Sequence, residues 1–191
     1  VPERLFEYNP YLKFIFLVRN PIDRAYSQYN MLINWRKSQL LHEYELFPDK
    51  EKLNILLKKL LDTQNFPFSY WVNQEIEKIR NHENTPIDFF PDFLHRGFYY
   101  EQLERYYQFF PVENILVIEH RELKNNRIST LRKIEQFLNI PYVDWNTINL
   151  DDKFVSQYNV KLPSDIRNKL KAFFKPYNEK FYKLIKRNFD W

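Results

Sequence analysis

The segment Lys13–Asn30 constrains the fold of this chain more than any other stretch, because it joins a buried strand to the start of a helix. The apolar run Phe14–Val18 is typical of a parallel strand that is covered on both faces. A helix start follows Arg19, since Pro21 suits a first helical position and Asp23 falls in the first turn. The segment therefore predicts a strand–loop–helix unit of an α/β sheet.

Arg19 stands at the carboxyl end of the predicted strand, where open α/β sheets bind ligands. Ser27 follows eight residues later in the predicted helix. An arginine fork binds two oxygens of a phosphate at once, so the two residues are typical of an anion site. A charged loop before a well-capped helix would have the same residues, and the residues alone leave both interpretations open.

The residues from Arg19 onward also resemble a known family. The run R-N-P-x-x-R-A-Y-S-x-Y, Arg19–Tyr29, is similar to the 3′-phosphate-binding segment of sulfotransferases that use 3′-phosphoadenosine 5′-phosphosulfate (PAPS), most of all in their carbohydrate and bacterial branch. The resemblance implies that Arg19 and Ser27 hold the 3′-phosphate of the nucleotide. Further similarities run from the first residue to the last: VPERL at 1–5, RGFYYEQL at 96–103, Ile115–Ile118 after Phe110-Pro111, Phe137-Leu138 with Pro141, Pro176-Tyr177-Asn178 and Phe189-Asp190-Trp191.

This resemblance implies a three-layer α/β/α fold with a parallel sheet, the P-loop-like sulfotransferase fold. It implies an enzyme that moves a sulfuryl group from PAPS to the hydroxyl or amine of a small-molecule or carbohydrate acceptor. The chemistry resembles phosphoryl transfer, an in-line displacement in which cations and backbone dipoles hold the charge. Arg19 and Ser27 would position the donor, and Gln28, Tyr29 and Arg96 are candidates for the acceptor side.

Glycine is nearly absent, with Gly97 as its single occurrence. A phosphate-cradling loop needs glycines so that backbone N–H groups can approach the oxygens, and the family's 5′-phosphosulfate loop contains glycine. We therefore expect an N-terminally truncated sulfotransferase domain, with residues 1–191 forming the C-terminal portion of a single domain. The first strand, the loop with its lysine and a glutamate general base would lie upstream, so no catalytic residue is assigned.

The number of strands supports the same expectation. The sequence predicts only two buried strands, Phe14–Val18 and Ile115–Ile118, and two strands hardly make a stable sheet. We expect this chain by itself to lack sulfotransferase activity. We also expect apolar surface to be exposed beside Phe14–Val18.

One departure from the family concerns the loop that closes over the 3′-phosphate. The family carries glycine and two or three basic residues there, whereas the equivalent stretch, Phe154–Tyr158, has neither. Lys153 and Lys161 flank this stretch. Lys153 is therefore the third candidate for binding the nucleotide.

Composition excludes several classes of function. No apolar run approaches the length of a transmembrane helix, no nucleic-acid-binding motif appears, and the four histidines are too scattered for a metal site. The absence of cysteine excludes disulfides and favours the cytoplasm, with the Golgi lumen as the alternative if a missing N-terminus carries an anchor. Residues 153–191 hold ten Lys and Arg against three Asp and Glu. A solvated helix face explains that excess slightly better than an anionic ligand does.

Hydrophobic periodicity predicts that most of the remaining chain is helical. The apolar spacing from Ile166 to Leu184 is also helical, and Pro176 is expected to divide it into two helices. The aromatic residues of Phe98–Phe110 are expected in the core rather than stacked on adenine. The other predicted helices are Pro21–Trp35, Lys50–Leu61, Trp71–Arg80, Tyr100–Phe110 and Arg127–Leu138, with a loop over 81–95.

Two further functional classes stay open. One is a non-catalytic anion-binding or interaction module that retains the second half of the sulfotransferase fold, which the missing glycine loop favours. The other is a different nucleotide-dependent transferase such as a kinase, which would also need a phosphate loop and leaves the spacing of Arg19 and Ser27 unexplained.

Overall fold

The structure, a computed structural model, describes residues 1–37, 50–81, 92–150 and 161–191. It contains two strands, β1 (Phe14–Val18) and β2 (Ile115–Glu119), in this part of the chain. The helices of the described residues are α1 (Pro2–Tyr8), α2 (Pro21–Lys37), α3 (Lys50–Leu61), α4 (Phe68–Arg80), α5 (Tyr99–Tyr107), α6 (His120–Asn125), α7 (Arg127–Leu138) and α8 (Ser164–Ile185). Within these residues, no helix has both the length and the apolar character needed to cross a bilayer.

The two strands pair in parallel, with Phe14 opposite Ile115 and Val18 opposite Glu119. This pairing places the carboxyl end of β1, where Arg19 follows, beside the carboxyl end of β2. The predicted α/β class with parallel strands is therefore confirmed. Both strands could be predicted from the sequence because each contains a short, continuous apolar run.

Contacts divide the chain into two compact units. The sheet unit comprises Val1–Asn20, Phe98–Val155 and Phe174–Trp191, and the helical unit comprises Pro21–Gly97 and Ser156–Phe173. The expectation of a single domain stays a prediction.

The core of the sheet unit lies against one face of β1. Phe14 meets Phe110 edge to face at 4.6 Å between ring centroids, and Phe16 meets Tyr106 at 4.9 Å. Such aromatic pairs add about 0.5–1.5 kcal/mol to the free energy gained by burying their area. The opposite face is exposed, since Ile15 and Leu17 keep 41% and 53% of their surface. The prediction of exposed apolar surface beside β1 is confirmed for these two side chains.

The helical unit has an aromatic core of its own. Tyr29 of α2 packs 5.1 Å from Phe68 of α4, and both rings contact Phe93 at 5.8 Å. Phe93 is fully buried, and a large side chain buried in this way contributes roughly 1.5–3 kcal/mol. The residues Phe68 and Phe93 thereby tie α4 and the segment after residue 91 to α2.

The prediction that Pro176 divides the last helical segment is wrong, because α8 continues through it. A proline inside a helix lacks an N–H donor and crowds the carbonyl four residues earlier, but packing on both sides of Pro176 favours continuity. Phe98 stacks on Tyr177 with ring centroids 3.9 Å apart and lies 6.1 Å from Phe174. One buried ring therefore holds the residues before and after the proline.

Two other helices begin or end a few residues from their predicted boundaries. The helix predicted from Trp71 begins at Phe68, after an extended Pro67. The helix predicted over Tyr100–Phe110 covers Tyr99–Tyr107, so the last predicted turn, before Pro111, is not helical. The prediction that Phe98 and Phe110 serve the core is confirmed, since they are 3% and 1% exposed.

Candidate functional site

The carboxyl end of β1 presents Arg19, a half-buried residue whose backbone is held by the hydroxyl of Tyr99. That hydroxyl donates a hydrogen bond to the Arg19 carbonyl at 2.8 Å and accepts one from the Arg19 N–H at 3.4 Å. Within the described part of the chain, the Arg19 guanidinium forms no hydrogen bond or ion pair. The sheet unit thus holds, at the edge where α/β sheets bind ligands, an arginine fork whose donors are used by no described residue.

The ring of Tyr99 is itself fixed by its neighbours. It lies 5.6 Å from the ring of Phe181 and 5.8 Å from that of Trp191. The indole N–H of Trp191 donates to the Glu119 carboxylate at 3.2 Å, and Glu119 ends β2 directly opposite Val18. Aromatic packing and one hydrogen bond therefore connect the carboxyl ends of both strands.

Glu119 is a buried carboxylate, 5% exposed, that the sequence interpretation did not single out. Arg121 donates to it at 2.7 Å and also to the carbonyl of Phe189 at 2.8 Å. These bonds compensate a charge that would otherwise be costly to bury. The segment Phe189–Trp191 is thereby fastened to the end of β2.

The other two nucleotide-binding candidates are placed as follows. Ser27 is half-buried in α2 and belongs to the helical unit, whereas Arg19 belongs to the sheet unit. Their convergence on one phosphate stays a prediction. Lys153 lies outside the described residues, as does the stretch Phe154–Tyr158.

Two of the acceptor-side candidates sit in α2. The Arg24 guanidinium donates to the Gln28 amide oxygen at 2.9 Å and also to the carbonyl of Phe93. Tyr29 is only 6% exposed. Burial, together with the nearby Tyr26, raises the pKa of Tyr29 to about 12. The place of Tyr29 in the aromatic core favours packing, and the acceptor role of both candidates stays a prediction.

Arg96, the third acceptor candidate, is exposed in a short 3-10 helix, His95–Gly97. Its Nε lies 3.4 Å from a carboxylate oxygen of Asp92. Asp92 adopts a left-handed backbone conformation with φ of 50°, which Asp tolerates better than most residues. Asp92 therefore begins a turn that leads to Arg96, and the acceptor role of Arg96 also stays a prediction.

Glu75 of α4 organises the same turn, and sequence interpretation missed it. Its buried carboxylate accepts backbone N–H bonds from Phe93 at 2.9 Å, Leu94 at 2.7 Å and His95 at 2.9 Å. Burial raises the pKa of Glu75 to about 7, although the three N–H bonds act in the opposite direction. The sequence signal that could have identified Glu75 was its spacing, because it lies on the same face of α4 as the apolar residues that are buried. These residues are Phe68, Trp71, Val72 and Ile76.

These groups can form hydrogen bonds, and the Arg19 guanidinium can bind an anion. Across residues 1–37, 50–81, 92–150 and 161–191, no group of His, Cys, Asp and Glu is arranged to hold a metal ion. Arg19 supplies positive charge at the sheet edge.

Comparison with known proteins identifies the family. The pattern described as "Sulfotransferase domain" matches residues 2–157, most of the chain. This chain belongs to the sulfotransferase family. The matched range includes β1, Arg19, Ser27, the Glu75 turn and β2, so the family resemblance of the sequence motifs is confirmed.

Two curated sulfotransferases match almost the whole chain. "Membrane-associated sulfotransferase kil1" of Dictyostelium discoideum is 25% identical and is aligned over 98% of this chain and 50% of its own length. "Heparan sulfate glucosamine 3-O-sulfotransferase 5" of Homo sapiens is 23% identical, over 100% of this chain and 52% of its own length. The chain thus spans about half the length of these sulfotransferases.

A solved structure shares the fold. The crystal structure of a sulfotransferase from Alicyclobacillus acidocaldarius superposes with a TM-score of 0.64 at 24% identity. The match covers 98% of this chain and 60% of the bacterial one. The predicted sulfotransferase fold is therefore confirmed.

Proposed function

We propose that this chain supplies the 3′-phosphate-binding part of a PAPS-dependent sulfotransferase. The observation that supports this most is the half-buried Arg19, whose guanidinium has no partner among the described residues. An arginine fork fits the oxygens of a phosphate in a bidentate manner. Its position at the end of a parallel strand is one where such folds bind nucleotides.

The residues of this chain act by binding and orientation. PAPS, when bound, supplies the sulfuryl group that is transferred. Arg19 would neutralise and orient the 3′-phosphate, and Ser27 would add a hydroxyl hydrogen bond to the same group. Holding the donor in one orientation lowers the entropic part of the barrier to an in-line displacement.

The acceptor class is proposed as a carbohydrate or small molecule with a reactive hydroxyl or amine. The name of the human relative includes heparan sulfate glucosamine, which supports the carbohydrate option. Gln28 and Arg96 are the candidates for contacting such an acceptor, since their amide and guanidinium groups can donate hydrogen bonds to the oxygens of a sugar.

A second candidate is an anion-binding module without catalytic activity, favoured by the single glycine of the chain. Both candidates can bind an anion, so a different observation separates them. An upstream reading frame that encodes a strand followed by a loop with glycine, lysine and Ser or Thr favours the enzyme. An upstream frame without such a loop favours the module.

The binding claim is tested by titrating adenosine 3′,5′-bisphosphate into the chain in a calorimeter. We expect Arg19→Ala to weaken binding about tenfold or more, because hydrogen bonds to charged groups contribute roughly 1.5–3 kcal/mol. Arg4→Ala is the matched control, since Arg4 is exposed on α1 and its loss changes the net charge equally. Equal affinities of the wild type and Arg19→Ala would contradict the proposal.

A further inference from the structure

We propose that Tyr99 is a positioning residue for the 3′-phosphate, because its hydroxyl fixes the backbone from which the Arg19 side chain extends. This inference rests on the proposed function, in which Arg19 binds that phosphate. Tyr99 touches the backbone of the binding residue and acts on the nucleotide through Arg19.

The Tyr99 hydroxyl forms two hydrogen bonds with the Arg19 backbone. The Arg19 carbonyl accepts a hydrogen bond from Tyr99 at 2.8 Å, and the Arg19 N–H donates one to the same oxygen at 3.4 Å. The parallel ladder ends one residue earlier, at Val18 opposite Glu119. A hydroxyl can donate and accept at once. Tyr99 therefore binds both the N–H and the carbonyl of Arg19, a residue that lies beyond the last pair of the two strands.

Tyr99 has little freedom to move. It is the first residue of α5, and its ring packs against those of Phe181 and Trp191, with centroids 5.6 and 5.8 Å away. Trp191 is in turn bonded to Glu119 at the end of β2. Because the phenol is already in place, its hydrogen bonds cost little further side-chain entropy.

A long side chain binds an anion well only when its direction is defined. Arginine loses roughly 2 kcal/mol of rotamer entropy when its side chain is ordered, and bidentate binding requires a defined direction of the fork. If the backbone at the strand end is not held in place, the direction of the arginine fork varies further. Fixing the Arg19 backbone therefore raises the affinity for a phosphate without adding a contact to it.

The test compares Tyr99→Phe with Tyr100→Phe. Both substitutions remove one phenolic hydroxyl and keep the ring, but the Tyr100 hydroxyl bonds Glu104 at 2.6 Å on the surface. Dissociation constants are measured calorimetrically for adenosine 3′,5′-bisphosphate and for adenosine 5′-monophosphate. We expect Tyr99→Phe to weaken binding of the bisphosphate about three- to tenfold, and to leave that of the monophosphate unchanged. Tyr100→Phe should change neither.

A double-mutant cycle separates positioning from a general structural effect. In the Arg19→Ala background, Tyr99→Phe should cost no further affinity, because the group that it positions is gone. A further loss equal to that in the wild type would overturn the inference, as would an unchanged affinity of Tyr99→Phe. If Arg19→Ala binds like the wild type, or the wild type does not bind the bisphosphate, the proposed function itself fails.

A second variant covers the case in which Tyr99→Phe is too unstable to titrate. Trp191→Phe keeps an aromatic ring beside Tyr99 and removes the indole bond to Glu119. We expect a loss of bisphosphate affinity in the same direction, about twofold, with the monophosphate again unchanged. An equal loss for both nucleotides would contradict positioning through Arg19.

Discussion

The Glu75 carboxylate accepts a hydrogen bond from the backbone N–H of Leu94 at 2.7 Å, across a separation of 19 residues. It also accepts the N–H groups of Phe93 and His95. One buried side chain of α4 thus satisfies three successive donors of the turn that leads to Arg96. Backbone groups buried without such partners would each cost roughly 1–3 kcal/mol.

The first prediction concerns the pH dependence of stability. Burial raises the pKa of Glu75 from 4.5 to about 7, so the folded chain holds this proton more tightly than the unfolded chain. The resulting stabilisation is complete below pH 4.5 and is lost as the pH rises through 7. Glu75→Gln removes this titration. The free energy of unfolding of the wild type minus that of Glu75→Gln should fall by about 2 kcal/mol between about pH 5 and pH 8.

Urea titrations at several pH values measure this difference. Subtracting the variant cancels the other groups that titrate over the same range, because they are common to both proteins. A difference that stays flat or rises with pH would show that Glu75 is not held in the buried state described above.

The second prediction concerns the core of the sheet unit. Phe110 is 1% exposed and packs against Phe14 at 4.6 Å and Phe6 at 5.5 Å. Phe110→Ala should reduce the free energy of unfolding by about 3–5 kcal/mol, since the transfer free energy of the ring is lost and a cavity remains. Val112→Ala, at a residue 64% exposed, is the control and should change it by less than about 0.5 kcal/mol. Equal effects of the two substitutions in chemical denaturation would disprove the assigned packing.

The third prediction concerns Pro176 inside α8. Alanine at this position restores the N–H that can bond the Ala172 carbonyl and removes the clash of the ring with that carbonyl. Alanine also increases the conformational entropy of the unfolded chain, which lowers the free energy of unfolding by about 0.4–1 kcal/mol. We expect Pro176→Ala to raise the free energy of unfolding by about 1 kcal/mol or more. A lower melting temperature than the wild type would mean that the ring of Pro176 stabilises the fold.

Local sequence patterns predicted the parts of the fold that depend on local physics. The helices Lys50–Leu61 and Arg127–Leu138 begin and end where their periodicity predicts. Asn139, the residue after the second of these helices, has φ of 57°. Asparagine tolerates this left-handed conformation better than most residues.

The parts that escaped prediction depend on contacts between distant residues. Pro176 looked like a helix breaker because its cost is local, while the compensating stack of Tyr177 on Phe98 joins residues 79 positions apart. Tyr99 and Arg19 are separated by 80 residues, so no local pattern could connect them. Glu75 was hidden because a glutamate in an amphipathic helix is usually solvated.

The binding of the 3′-phosphate by Arg19 is tested by a crystal structure of the chain with adenosine 3′,5′-bisphosphate. We expect the Arg19 guanidinium to lie about 2.7–2.9 Å from oxygens of the 3′-phosphate, with the Tyr99 hydroxyl still bonded to the Arg19 backbone. A nucleotide bound with its 3′-phosphate on other residues, and with the Arg19 guanidinium in solvent, would contradict the claim.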